Sequence, residues 1–135
     1  MNNRIIILGS SGIISKNLQL KLKEEKFNFT VFGKKKINLI NKNSYKFLRK
    51  KIYNNDTVIF ISAEAPVKNF EMFFNNMNIC LNVCKALKGK RINKLIYISS
   101  DAVYSDTKNK LNEKSETKPV SLHGLMHLSR ELQLK

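Results

Sequence analysis

The chain has 135 residues, enough for one domain with a buried core and too few for two domains of ordinary size. Its 42% hydrophobic content is that of a globular protein, and no apolar run approaches the roughly 20 residues of a membrane span. The net charge of +15 invites a polyanionic partner, but lysine carries nearly all of it: Arg4, Arg49, Arg91 and Arg130 are the only arginines among 25 basic residues. Base readout leans on the guanidinium fork, so specific nucleic-acid recognition is not expected, although a solvated lysine surface attracts anions in general.

Met1 to Arg4 carries one basic residue and leads into a short apolar run followed by Gly9, not a small-residue cleavage site, so the protein is expected in the cytoplasm. Arg4-Ile5-Ile6-Ile7-Leu8 reads as a strand buried on both faces and central in a parallel sheet. After Gly12, the apolar residues Ile13, Ile14, Leu18, Leu20 and Leu22 recur at helical spacing. Asn28 to Phe32 predicts a second strand stopped by Gly33, and Ile37 to Ile40 a short third one. A helix follows from Ser44, a plausible N-cap, to about Lys51. Thr57 to Ile61 predicts another buried strand, and a long helix runs from about Asn69 to Leu87, ending near Gly89. Within it Cys80 and Cys84 share one face and read as a reduced thiol pair. Leu95 to Ser99 is the last clear strand. Ser105 to Pro119 is polar and loop-like, and Ser121 to Lys135 returns to helical spacing.

Strands alternating with helices imply an α/β fold, a Rossmann-like doubly wound parallel sheet occupying residues 1–135 as one domain. Gly9-Ser10-Ser11-Gly12-Ile13-Ile14-Ser15 lies between the first strand and the first helix, where a glycine turn can bind a dinucleotide. Gly9 permits the turn, Gly12 lets the backbone approach a pyrophosphate, and the helix N-terminus offers unpaired N–H groups; Ser11, Ile13 and Ile14 complete the candidate contacts. At the end of the second strand, where an acid accepts from the ribose hydroxyls or basic residues accommodate a 2′-phosphate, Gly33-Lys34-Lys35-Lys36 holds no acid. By charge the turn favours NADP over NAD, with Lys34 and Lys35 as the phosphate candidates.

The GxxGxxG spacing of the turn resembles that of the short-chain dehydrogenase/reductase superfamily, with Ser15 in place of the third glycine. Serine there is expected to loosen the packing of helix on strand without abolishing binding. Three further segments resemble extended members of the superfamily, the nucleotide-sugar epimerases, dehydratases and reductases, and they come in the family's order. Asp56 to Ala63 is similar to the strand that brings small residues, here Ser62 and Ala63, beside the adenine ribose. Asn76-Met77-Asn78-Ile79-Cys80-Leu81-Asn82 resembles the NxxGTxN helix pattern, which makes Asn76 a cofactor-site candidate. Tyr97-Ile98-Ser99-Ser100-Asp101-Ala102-Val103-Tyr104 resembles the segment presenting the catalytic hydroxyl, which falls on Ser100.

The resemblance also implies a Tyr and a Lys four residues apart on the next helix, the tyrosine transferring a proton while the lysine lowers its pKa and holds the ribose. The sequence there reads His123-Gly124-Leu125-Met126-His127, so YxxxK has become HxxxH. His123 and His127 are the positional counterparts, and impaired family chemistry is expected because imidazole is shorter than phenol and carries no fixed charge at neutral pH. The same spacing, continued by Glu131, could face a metal, but the glutamate between the histidines of a metalloprotease is missing, and no metal is expected. The chain stops within its final helix, so a last strand and the smaller substrate domain of extended members are expected to be absent. A nucleotide sugar would then be a ligand only with that domain supplied in trans, and a homodimer could cover the exposed sheet edge.

Overall fold

The computed structural model describes residues 4–135. The part of the N-terminal reading that concerns Met1 to Asn3 lies outside the described residues.

Four short strands, β1 (Ile5–Leu8), β2 (Phe29–Phe32), β3 (Thr57–Phe60) and β4 (Lys94–Tyr97), form one parallel sheet in the order β2-β1-β3-β4. The β-branched run of β1 lies at the centre: Ile5 pairs with Phe29 on one side and with Thr57 on the other, and the register continues to Leu8 between Phe32 and Phe60. Each parallel crossover needs a long connection, usually a helix. These are α1 (Ile13–Glu24), α2 (Ser44–Lys51) and α3 (Phe70–Leu87), with α4 (Leu122–Leu134) following β4.

Strand side chains alternate between faces, so Ile6, Leu8, Val58 and Phe60 share one face of the sheet. There they meet Leu48 of α2 and Ile79, Cys80, Val83 and Ala86 of α3 in a single apolar cluster. Ile7 and Ile59 are buried on the opposite face. Each such aliphatic side chain contributes about 1.5–3 kcal/mol when removed from water. Arg4 fastens the start of β1 to the start of β3 through a 2.7 Å ion pair with Asp56, whose carboxylate also accepts from the Tyr53 N–H.

Ile37 to Ile40 is not a strand. Ile37 N–H turns back to the Gly33 carbonyl, and the Leu39 and Asn41 carbonyls accept from Asn82 of α3 at 2.8 and 3.1 Å. The period-two pattern came from Ile37 and Leu39 entering the core, while the backbone is satisfied by a side chain instead of a ladder. Ser44 likewise is not a cap: it is the first residue of α2, preceded by Asn43, and its buried hydroxyl has no partner among the described residues. Asn69 and Ser121 do cap α3 and α4, accepting from Met72 N–H and Gly124 N–H.

Candidate functional site

The ends of β1 and β3 meet where the glycine turn begins. Gly9 has φ +112°, and a Cβ there would stand 2.9 Å from the Ser62 backbone nitrogen, so both conformation and space demand glycine. Gly12 precedes α1 without any side-chain cap, and the first helical bond runs from Lys16 N–H to the Gly12 carbonyl. The N–H groups of Ile13, Ile14 and Ser15 are therefore left at the positive end of the helix dipole without intrahelical partners. Nothing lies within 4 Å of the place a Gly12 Cβ would take. In place of looser packing, Ser15 is buried and tightens the turn: its hydroxyl donates to the Gly9 carbonyl at 2.6 Å and accepts from Gln19 at 2.9 Å.

Beside this turn lies a cleft of about 410 Å³. Gly9, Ser11 and Gly12 line one wall, Ser62 and Ala63 the other, and Ile37, Ile61 and Ile79 supply apolar surface between them. This combination of bare backbone donors and an apolar wall suits a phosphate joined to a flat heterocycle. Ile13 and Ile14 project from the first turn of α1 with 81% and 55% exposure. Lys34 lines the cleft and also a wider basin of about 800 Å³ behind it, which Lys35 and Lys36 share. The turn itself holds no acid, yet Glu64, from beyond the end of β3, stands 3.7 Å from the Lys34 ammonium.

Asn76 is not on the cleft wall. It is fully buried, its amide donating to the Glu64 and Met72 carbonyls at 2.8 Å and its oxygen accepting from the Glu64 N–H and from Arg130. Its work is to hold the segment after β3 in place. Arg130, in sequence only one of the few arginines, is fully buried as well. Its guanidinium donates to the Ser62 carbonyl, the Asn76 carbonyl and Asn76 Oδ1, all neutral oxygens, and lies 4.9 Å over the Phe60 ring. Burial pushes the guanidinium below its ordinary pKa. The available signal was its place on the Met126-Arg130 row of α4, the face that turns inward.

Ser100 opens a 3-10 turn, Asp101–Val103, where its hydroxyl accepts from Ala102 N–H and donates to Asp101, each at 3.2 Å. The first turn of α4 stands against it: a side chain at Gly124 would collide with the Ala102 carbonyl, so glycine admits the approach that sets His123 beside this turn. His123 Nδ1 accepts from Val67 N–H at 3.4 Å, and its ring meets that of His127 edge-on at 4.7 Å. His127 is buried, with Nδ1 2.6 Å from the Tyr97 hydroxyl. Burial, then the neighbouring His123 and Arg130 charges, bring its imidazole down to about 4, which keeps it neutral at physiological pH. Burial also pushes the Tyr97 phenol up. Among the described residues no three His, Cys, Asp or Glu side chains converge as a metal site, and no helix is long and apolar enough to cross a membrane. Cys80 and Cys84 are both free thiols.

A parallel sheet with a glycine turn opening into a cleft at the carboxyl ends of β1 and β3 defines a Rossmann-like α/β domain. The family profile described as RmlD substrate binding domain matches residues 3–135, and the chain belongs to that family, within the extended short-chain dehydrogenases/reductases. Among solved structures, the dTDP-4-dehydrorhamnose reductase of Clostridium acetobutylicum superposes with a TM-score of 0.82 at 22% identity, over 97% of this chain and 48% of that one. The Bacillus anthracis dTDP-4-dehydrorhamnose reductase in complex with NADP gives 0.77 at 23% identity, over 99% and 49%. The Bacillus cereus UDP-glucuronic acid 4-epimerase in complex with NAD gives 0.75 at 20%, over 97% and 51%. The chain thus spans about half the length of these proteins. No curated protein matches it in sequence.

Proposed function

We propose that this chain, as a single domain, binds a nicotinamide dinucleotide, NADP or NAD with NADP favoured, in the cleft beside the Gly9 to Ser15 turn. The observation that carries the reading is the uncapped N-terminus of α1, opened by Gly9 and Gly12 onto a cleft with an apolar wall. Gly12, Ile13 and Ile14 would meet the pyrophosphate through their backbone, Ser62 and Ala63 the adenosine ribose, and Lys34 and Lys35 a 2′-phosphate. The structural relatives include a reductase holding NADP and an epimerase holding NAD, which supports the cofactor class. When bound, the cofactor supplies hydride chemistry; the protein's share is binding and orientation.

The ancestral substrate is a nucleotide sugar. Ser100 keeps the hydroxyl of the family site, while His123 and His127 replace its acid and its cation, so turnover is weak or lost. A non-catalytic cofactor-binding module is the second reading. It is favoured by His127, whose Nδ1 is engaged by Tyr97 inside the protein. The protein works in the cytoplasm, as a homodimer.

A fluorescence titration of the purified chain with NADPH, then NADH, at physiological salt tests the proposal. Saturable binding, tighter for NADPH, is the expected result. A folded chain that binds neither refutes it. Adding a nucleotide sugar together with a substrate domain separates the two readings, since the module binds cofactor without oxidising or reducing it.

A further inference from the structure

Lys34 stands where two cavities meet, lining both the cleft and the basin it shares with Lys35 and Lys36. Its partner is in the cleft. The Lys34 ammonium and Glu64 Oε1 are 3.7 Å apart, a contact that spans from the end of β2 to the segment beyond β3. The two side chains differ in freedom: that of Lys34 is 70% exposed and that of Glu64 27%. Glu64 is held at several points. Its Oε2 accepts from Asn75 at 3.0 Å, its N–H donates to Asn76 Oδ1 at 3.0 Å, and its carbonyl accepts from the Asn76 amide at 2.8 Å. Asn76 is locked in turn by Arg130 at 2.9 Å. A fixed acid therefore faces a movable base.

We infer that Glu64 is a specificity-determining residue that holds Lys34 in the cleft and opposes a phosphate group at the lysine turn, narrowing the preference for NADP over NAD. The inference rests on the reading of the cleft as a dinucleotide site. A phosphomonoester carries about −1.5 to −2 charges at neutral pH. To engage it, Lys34 must leave Glu64, and the phosphate must then lie near a carboxylate that the Asn75 bond holds in place on a backbone fastened by Asn76. A ribose hydroxyl meets neither penalty and can donate to the same carboxylate. The lysine count of the turn alone overstates its affinity for phosphate, because one of its three cations is already engaged by an acid from another element.

The test compares NADPH and NADH affinities in the wild-type chain, Glu64→Gln, Lys34→Gln and the double variant, each checked for folding by circular dichroism. Glu64→Gln keeps an acceptor for Asn75 and is expected to raise the NADPH-to-NADH affinity ratio about fivefold, the scale of one partly screened charge contact. Lys34→Gln should lower the ratio, and by a larger factor in the Glu64→Gln background, where Lys34 is released. A Glu64→Gln ratio equal to wild type, with dinucleotide binding intact, overturns the inference alone. A folded wild-type chain that binds neither dinucleotide overturns the cofactor reading and the inference with it.

Discussion

The Arg130 guanidinium donates a 2.9 Å hydrogen bond to the Ser62 carbonyl, joining the last helix to the end of β3 across 68 residues of sequence. Its other two bonds go to the Asn76 carbonyl and side chain, so one buried cation locks α4, α3 and the cleft wall together. Deleting it would leave buried oxygens without donors, each worth about 1–3 kcal/mol. Arg130→Ala is expected to lose roughly 3 kcal/mol in urea unfolding. In a double-mutant cycle with Asn76→Ala the two losses should fail to add by about 1 kcal/mol or more; strict additivity would mean that the clamp does not act as a unit.

Two glycines are expected to resist replacement even by alanine. At Gly124 alanine should favour the helix by about 1 kcal/mol, but its Cβ would drive into the Ala102 carbonyl, which is backbone and cannot swing aside. Gly124→Ala should therefore destabilise by about 2 kcal/mol in urea unfolding. Gly9→Ala combines a positive φ with contact on the Ser62 backbone, and should weaken both stability and dinucleotide binding, whereas Gly124→Ala should act on stability alone.

Ser15 offers a finer test of the turn. Removing its hydroxyl takes a donor from the Gly9 carbonyl and an acceptor from Gln19. Ser15→Ala is expected to cost about 1 kcal/mol and to weaken NADPH binding severalfold by loosening the loop that would carry the pyrophosphate. Equal stability and affinity in the variant would show that the bond contributes nothing.

His127 makes stability depend on pH. Its folded-state pKa of about 4 lies below the ordinary 6.5, so between these values the unfolded chain binds a proton that the folded chain refuses. Stability contributed by the neutral imidazole is present above 6.5 and is lost as pH falls toward 4, on the order of 3 kcal/mol in all. Urea midpoints measured from pH 7.5 to 4.5 should fall more steeply for wild type than for His127→Gln. His127→Lys, which would restore the family's cation, should instead destabilise at neutral pH, because it sets an ammonium against Tyr97 and close to the Arg130 charge.

Much of the architecture was legible in the residues. Ile5 to Leu8 and Thr57 to Phe60 are β-branched or apolar without interruption because both faces of a parallel strand are covered, and Gly9 announces the turn because no other residue tolerates its φ. Of the positions lining the cleft, Ser11, Gly12 and Lys34 followed from that frame, since strand ends in a parallel sheet share one edge, while Ser62 and Ala63 were named through the family resemblance.

What the sequence determined by itself was thus local: periodicity, glycine turns and the order of the elements. Only the tertiary structure decided which side chains meet. Ile37 to Ile40 alternates like a strand, but Asn82 supplies its carbonyls with donors. Asn76, a cofactor-site candidate by motif, faces inward because Arg130, the Glu64 backbone and the Met72 carbonyl together use all its side-chain hydrogen-bonding capacity. Glu64 reaches Lys34 from 30 residues away in sequence, and Arg130 reaches Ser62 from 68. Such encounters have no local signature. Hydrogen bonds and ion pairs depend on separations of a few ångströms, which are set by how helices lie against the sheet and not by the order of residues along the chain.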